Sequence, residues 1–162
     1  MKYVNFGLWV LSFILMSGSI KTEKTSTGYY PGNKIPNIVF TGTEGQTLDL
    51  SDYKGKKVVL NFWAAYDAHS RANNVRLNNI LKENSSNVEF LSISFDENIN
   101  VGKRTALLDK IDIKTQYCDT NGANSDIYKE FKLEKGFRSY IIDENGVIEA
   151  INPTDDRLKE LL

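Results

Sequence analysis

The chain has 162 residues, 41% hydrophobic and 25% charged, and its twenty basic and twenty-one acidic residues leave a formal net charge of −1. That length favours one domain with one core, and without a clustered basic excess the chain offers no platform for a polyanion, so no nucleic-acid partner is expected. One histidine and one cysteine exclude a structural zinc site and an intramolecular disulfide within the chain; neither a metal nor any other cofactor is expected.

Residues 1–19 read as a signal peptide or an N-terminal anchor. Lys2 precedes an apolar run from Phe6 to Met16, closed by the small residues Ser17, Gly18 and Ser19. The run is short for a bilayer span and fits the apolar region of a secretory signal. The "MSGS" ending resembles a lipoprotein box with Ser19 in place of the lipid-accepting cysteine, which disfavours lipidation. An exported, bacterial periplasmic or cell-envelope location follows, with membrane contact only through an uncleaved N-terminal segment. Residues 20–34, "IKTEKTSTGYYPGNK", are polar and carry Gly28 and Pro31-Gly32 as breakers, so they read as a linker.

A folded domain is expected over 35–162. "NIVF" is a short strand candidate, and turn signals follow at Glu44-Gly45 and Lys54-Gly55. "VVLNFWA" (58–64) is a continuous apolar run rich in β-branched and aromatic residues, as expected of a central strand covered on both faces. Leu77, Ile80 and Leu81 then recur at helical spacing, predicting a helix over 68–83. "VEFLSISF" (88–95) reads as a parallel neighbour of the first run, and 101–110 as a helix. "KTQYC" (114–118) reads as a short strand and "SDIYKEF" (125–131) as a helix. "FRSYIIDENGVIEAI" reads as a hairpin turning at Asn145-Gly146. Asp155 or Asp156 is expected to cap a closing helix whose Leu158, Leu161 and Leu162 share a face. This order predicts an α/β sandwich on a mixed sheet.

The words that fill this order resemble the thioredoxin-like superfamily, in particular exported thiol–disulfide oxidoreductases of the TlpA/ResA type and their AhpC/TSA relatives. "GQTLDLSDYKGKKVVLNFWA", the helix after it, "VEFLSISFD" and "YIIDENGVI" match in order. The resemblance implies a three-layer sandwich, a mixed central sheet flanked by helices. Such proteins normally continue Trp-Ala-x-Trp-Cys-x-x-Cys-Arg; here Trp63, Ala64 and Arg71 stay in step around Tyr66, Asp67, His69 and Ser70. Asp67 therefore stands at the nucleophilic cysteine position and Ser70 at the resolving one. The family's cis-proline position falls to Phe137, where a cis bond would cost about 2.5–4 kcal/mol, so a trans peptide is expected.

Disulfide exchange needs a thiolate and a second thiol to release the mixed disulfide. A carboxylate and a lone hydroxyl supply neither, so no catalytic residue is expected here. Asp67 is instead an N-cap that keeps a negative charge at the helix start, and Ser70 adds a local hydrogen bond. Retained binding in the former groove, by Trp63, Tyr66, Asp67, His69, Ser70 and Phe137, would address an extended peptide or an envelope protein. Trp63 and Tyr66 have a core-packing reading of equal weight.

A Ser/His/Asp triad of Ser70, His69 and Asp67 is disfavoured, because neighbours one residue apart at a helix start point in different directions. Cys118 is either a buried inert thiol or a lone redox thiol working with a partner's cysteine. Asp143 reads as a turn residue. Asp96 and Glu97 follow a parallel strand, where loops often carry function, but two adjacent acids are weak evidence for a metal.

Overall fold

The computed structural model describes residues 25–41, 47–84 and 87–162. The apolar N-terminal run, residues 20–24 and the Glu44-Gly45 turn lie outside these. A short antiparallel ribbon, β1 (Val39–Thr41) and β2 (Thr47–Asp49), leads into the main sheet. That sheet contains β3 (Lys57–Trp63), β4 (Val88–Ser94), β5 (Gln116–Cys118), β6 (Ser139–Ile142) and β7 (Ile148–Ile151). Its order is β5-β4-β3-β6-β7, with β3, β4 and β5 mutually parallel and β6 and β7 antiparallel to their neighbours.

The continuous apolar run of β3 reflects burial on both faces. With a period of two, Val58, Leu60 and Phe62 face one side, packing with Leu91, Ile93, Phe95, Phe131 and Tyr140. Val59 faces the other, against Leu77, Ile80 and Leu81 of α1 (Ala68–Asn84) and Leu158 of α4 (Asp155–Leu161). Trp63 packs there too, with Ala106 of α2 (Ile99–Leu108) and Ile111. On the first face, Ile127 and Tyr128 of α3 (Asp126–Glu130) pack against the core. Helices thus cover both faces of a mixed five-stranded sheet, the three-layer arrangement anticipated above. Each fully buried Leu, Ile or Phe contributes roughly 1.5–3 kcal/mol of apolar burial.

Three local features add to the sequence reading. The described part of the polar segment, residues 25–34, packs on the domain. Pro31-Gly32 forms a tight turn, with the Asn33 N–H on the Tyr30 carbonyl at 3.0 Å and Gly32 at φ +86°. This turn brings the arm against β7, where Gly32 donates to the Ile148 carbonyl and Ile148 to that of Asn33, both at 2.9 Å. Tyr29 stacks edge-on against Phe131 at 4.7 Å. The reason is that Tyr29, an aromatic residue in a polar stretch, found core surface to cover, while its neighbour Tyr30 stays exposed.

The second is the β6–β7 hairpin, which forms as expected and turns through Asn145-Gly146, with a turn type of its own. Only Gly146 of the Asn145-Gly146 pair takes a positive φ (+82°), so this is not the two-residue mirror turn that the pair favours. The chain closes from Asp143 to Val147, and the Asp143 carboxylate accepts the Asn145 and Val147 N–H groups at 2.9 and 2.7 Å. Third, Thr154 caps α4 through its hydroxyl, which accepts the Arg157 N–H; Asp155 and Asp156 occupy the first turn instead, where they favour the positive helix end.

Candidate functional site

The site forms where β3 ends and α1 begins. The Phe95 N–H donates to the Trp63 carbonyl at 2.9 Å, and the Asp67 N–H to that of Ala64 at 3.1 Å, which fixes the connecting turn. Asp67 Oδ1 accepts the Ser70 N–H at 2.7 Å, capping α1. The buried Ser70 hydroxyl donates to the Asp67 carbonyl at 3.2 Å and accepts the Ala64 N–H at 3.3 Å. With both its donor and acceptor roles taken by backbone, Ser70 holds the turn together and presents no nucleophile. His69 is exposed, and neither Asp67 nor Ser70 hydrogen-bonds its ring.

Gly136 (φ +117°) swings the chain into Phe137, and Phe62 donates to the Arg138 carbonyl at 2.9 Å. There are no cis peptide bonds among the described residues. Phe137 lies among Tyr66, Phe95 and Tyr128, with ring centroids 6.4, 6.2 and 6.0 Å away. Tyr66 is 68% exposed and Tyr128 and Phe137 half-buried, so these three rings form an aromatic ledge at the surface over the buried Phe95. Beside it, a cleft of about 370 Å³ is lined by Asp67, His69, Ser70, Asn73, Arg76 and Phe137 together with Phe62, Gly136 and Asn152. The structure thus gathers Asp67, His69, Ser70 and Phe137 around one cleft, with Tyr66 at its ledge. Trp63 is not among them: it is 1% exposed and belongs to the core.

The ledge is electronegative. Burial raises the Tyr66 hydroxyl pKa, and Tyr128, Asp96, Asp67 and Glu97 raise it further. Asp96 is 4% exposed, and both its oxygens take the Ala65 N–H at 3.1 Å. Burial lifts its carboxyl above the usual carboxylate range, opposed by that N–H and by Ser94. Asp96 and Glu97 acquire no third partner for a metal; among the described residues no group of three or more His, Cys, Asp or Glu side chains is placed to hold one.

Cys118 is two strands away. Trp63, Ser94 and Cys118 are aligned across β3, β4 and β5, so two strand spacings, about 10 Å, separate the cysteine backbone from that of Trp63. The thiol is 5% exposed, accepts the Ser94 hydroxyl and donates to the Asp96 carbonyl, both at 3.3 Å. Burial pushes its pKa up, Ser94 lowers it, and Asp96 and Asp119 add to the rise. A buried thiol in an acidic setting is a poor thiolate.

Sequence reasoning passed over a buried polar row one step below the site. Ser139, Asn61, Ser92 and Gln116 are aligned across β6, β3, β4 and β5, and all are essentially fully buried. Asn74 of α1 joins them: its Oδ1 accepts Asn61 Nδ2 at 3.1 Å and the Ser92 hydroxyl at 2.7 Å, and its Nδ2 reaches Gln116 Oε1 at 3.4 Å. Asn73 carries the network into the cleft, donating to Asn61 Oδ1 at 3.0 Å while Arg76 donates to its own Oδ1. Arg76 also pairs with Asp155. The available signal was Asn61 itself, a single amide inside the apolar run of a central strand.

Comparison with known proteins places these features in context. The description "AhpC/TSA family" fits residues 31–151. The chain is 28% identical to the thioredoxin-like protein YneN of Bacillus subtilis, covering 86% of this chain and 81% of that protein. It is also 28% identical to the thiol-disulfide oxidoreductase ResA of Bacillus cereus, covering 94% and 92%. Among solved structures, a thioredoxin-like protein from Parabacteroides distasonis superposes with a TM-score of 0.74 at 37% identity, covering 85% of this chain and 98% of that one.

Proposed function

Because the chain belongs to the AhpC/TSA family, we propose that it is an exported, cell-envelope thioredoxin-fold protein that has lost thiol–disulfide exchange and acts by binding extended polypeptide. The observation that carries this reading is the bonding of Asp67 and Ser70. Both side chains close the start of α1, and neither can form or release a mixed disulfide. The surface beside them keeps the makings of a peptide groove. Tyr66, Tyr128 and Phe137 offer a ledge for a large apolar side chain. Among the described residues no backbone hydrogen bond engages the Phe137 N–H, which leaves it available to an added strand. Asp67 and Glu97 favour a cationic residue in the peptide over an acidic one.

The relatives' names are equally compatible with a redox protein that works through Cys118 and a partner's thiol. Burial of that sulfur and its raised pKa favour the binding reading. Titration with a fluorescent, reduced and carboxymethylated polypeptide tests it. Saturable binding that weakens about tenfold, or ~1.4 kcal/mol, in Phe137→Ser is the expected result. Equal binding by parent and variant, or none, would remove the groove as the site.

A further inference from the structure

The opposite end of the sheet holds a second cavity. β3 runs five residue steps from Val58 to Trp63, about 17 Å at ~3.3 Å per step, and this cavity lies at the Val58 end, away from the cleft. Its volume is about 190 Å³, and a dry apolar cavity of about 150 Å³ already accepts a benzene ring. Ile35, Leu50, Val58 and Ile142 contribute its apolar lining, all of them buried core residues. Two backbone bridges frame it. The Ile35 N–H donates to the Gly146 carbonyl at 2.9 Å, and the Gly55 N–H to that of Glu144 at 2.8 Å. The N-terminal arm, the turn before β3 and the β6–β7 turn are therefore held at fixed spacing around the space.

The rim is cationic. Lys34, Lys54 and Lys56 all line the opening and are exposed. Lys56 pairs with Glu89 at 2.7 Å, but among the described residues the amines of Lys34 and Lys54 have no acidic partner. The Lys34 side chain lies over Gly146, its Cε 3.6 Å from where a Cβ would stand. Asp143 also lines the cavity, and its carboxylate and that of Asp49 are turned to local donors. Asp143 accepts the N–H groups of its own turn, and Asp49 accepts from Asn37 and Ser51.

We propose that this cavity is a binding site for a small amphiphilic carboxylic acid, with a compact aromatic or short aliphatic body between Ile35, Leu50, Val58 and Ile142 and its carboxylate at Lys34 and Lys54. The apolar lining supplies the affinity, and the ammonium groups of Lys34 and Lys54, without an acidic partner among the described residues, select the anion. The framed opening favours a small molecule over a polypeptide segment. This site is independent of the groove at the other end of the sheet.

An NMR titration of the full chain with phenylacetate, and separately with the uncharged phenylacetamide, tests the assignment. Phenylacetate is expected to give saturable shifts at the amides of Ile35, Val58, Ile142 and Gly146. Phenylacetamide should bind about tenfold more weakly. The exposed double substitution Lys34→Gln/Lys54→Gln should bring the two ligands to the same weak affinity, with the rest of the spectrum unchanged. Absent or non-saturating shifts, equal binding of the two ligands to the parent, or shifts confined to Phe137 and Asn152 would overturn the proposal. So would a short peptide ending in phenylalanine that binds this end more tightly than phenylacetate, since the occupant would then be a chain terminus.

Discussion

Asp67 and Ser70 close on one another: the aspartate carboxylate accepts the serine N–H at 2.7 Å, and the serine hydroxyl returns to the aspartate carbonyl at 3.2 Å. An active dithiol pair would place two sulfurs at these positions, one exposed and ionised. Here the same positions are used for a helix cap. Asp67→Ala should lower unfolding stability by about 1 kcal/mol in urea denaturation, and Asp67→Asn by much less, because asparagine caps nearly as well. Ser70→Ala should cost about 1–2 kcal/mol, since it leaves the buried Ala64 N–H without its acceptor.

The buried amide network is a larger liability than the cap. Asn74 alone satisfies groups on β3, β4 and β5. Asn74→Leu would strand the Asn61 amide and the Ser92 hydroxyl in a dry interior, and should destabilise by about 2–4 kcal/mol. Denaturant titration with an unchanged m-value would assign the loss to the native state.

The fold was legible where pattern and burial agree. "VVLNFWA" reads as a two-faced strand because both its faces are in fact covered, and Leu77, Ile80 and Leu81 recur because one stripe of α1 meets the sheet. The Asp67 cap was legible from residue type and position. The polar row of Ser139, Asn61, Ser92 and Gln116 was not, because its members come from four separate strands and only register aligns them. The packing of the arm at 25–34 is hidden in the sequence for a related reason. Its polarity concealed Tyr29, whose partner Phe131 is about a hundred residues away. Trp63 could be assigned to the groove or the core only once the pleat direction of β3 was known.

Asp96 predicts a pH dependence. Its folded pKa lies above the ordinary aspartate value, chiefly through burial. The folded chain therefore keeps this proton at pH values where the unfolded chain has released it. The stability associated with Asp96 is full below about pH 4 and falls as the pH rises through the folded pKa. Asp96→Asn, which can still accept the Ala65 N–H, should be at least as stable as the parent at pH 7. The difference should shrink as the pH approaches 4, read from thermal midpoints across that range.

Cys118 should behave as a core residue. Iodoacetamide should label it slowly in the native protein and quickly after denaturant is added, because the reactive thiolate is both buried and disfavoured. Labelling at equal rates in the two states would return Cys118 to consideration as a working thiol.

The most direct test of the loss of thiol–disulfide chemistry is the reduction of insulin by dithiothreitol, followed by turbidity with the parent chain and with Cys118→Ser. The expected result is the uncatalysed rate in both. Acceleration by the parent would contradict the account: if it persisted in Cys118→Ser, catalysis would have to come from a site without sulfur, and if it vanished, the lone cysteine would be the catalyst.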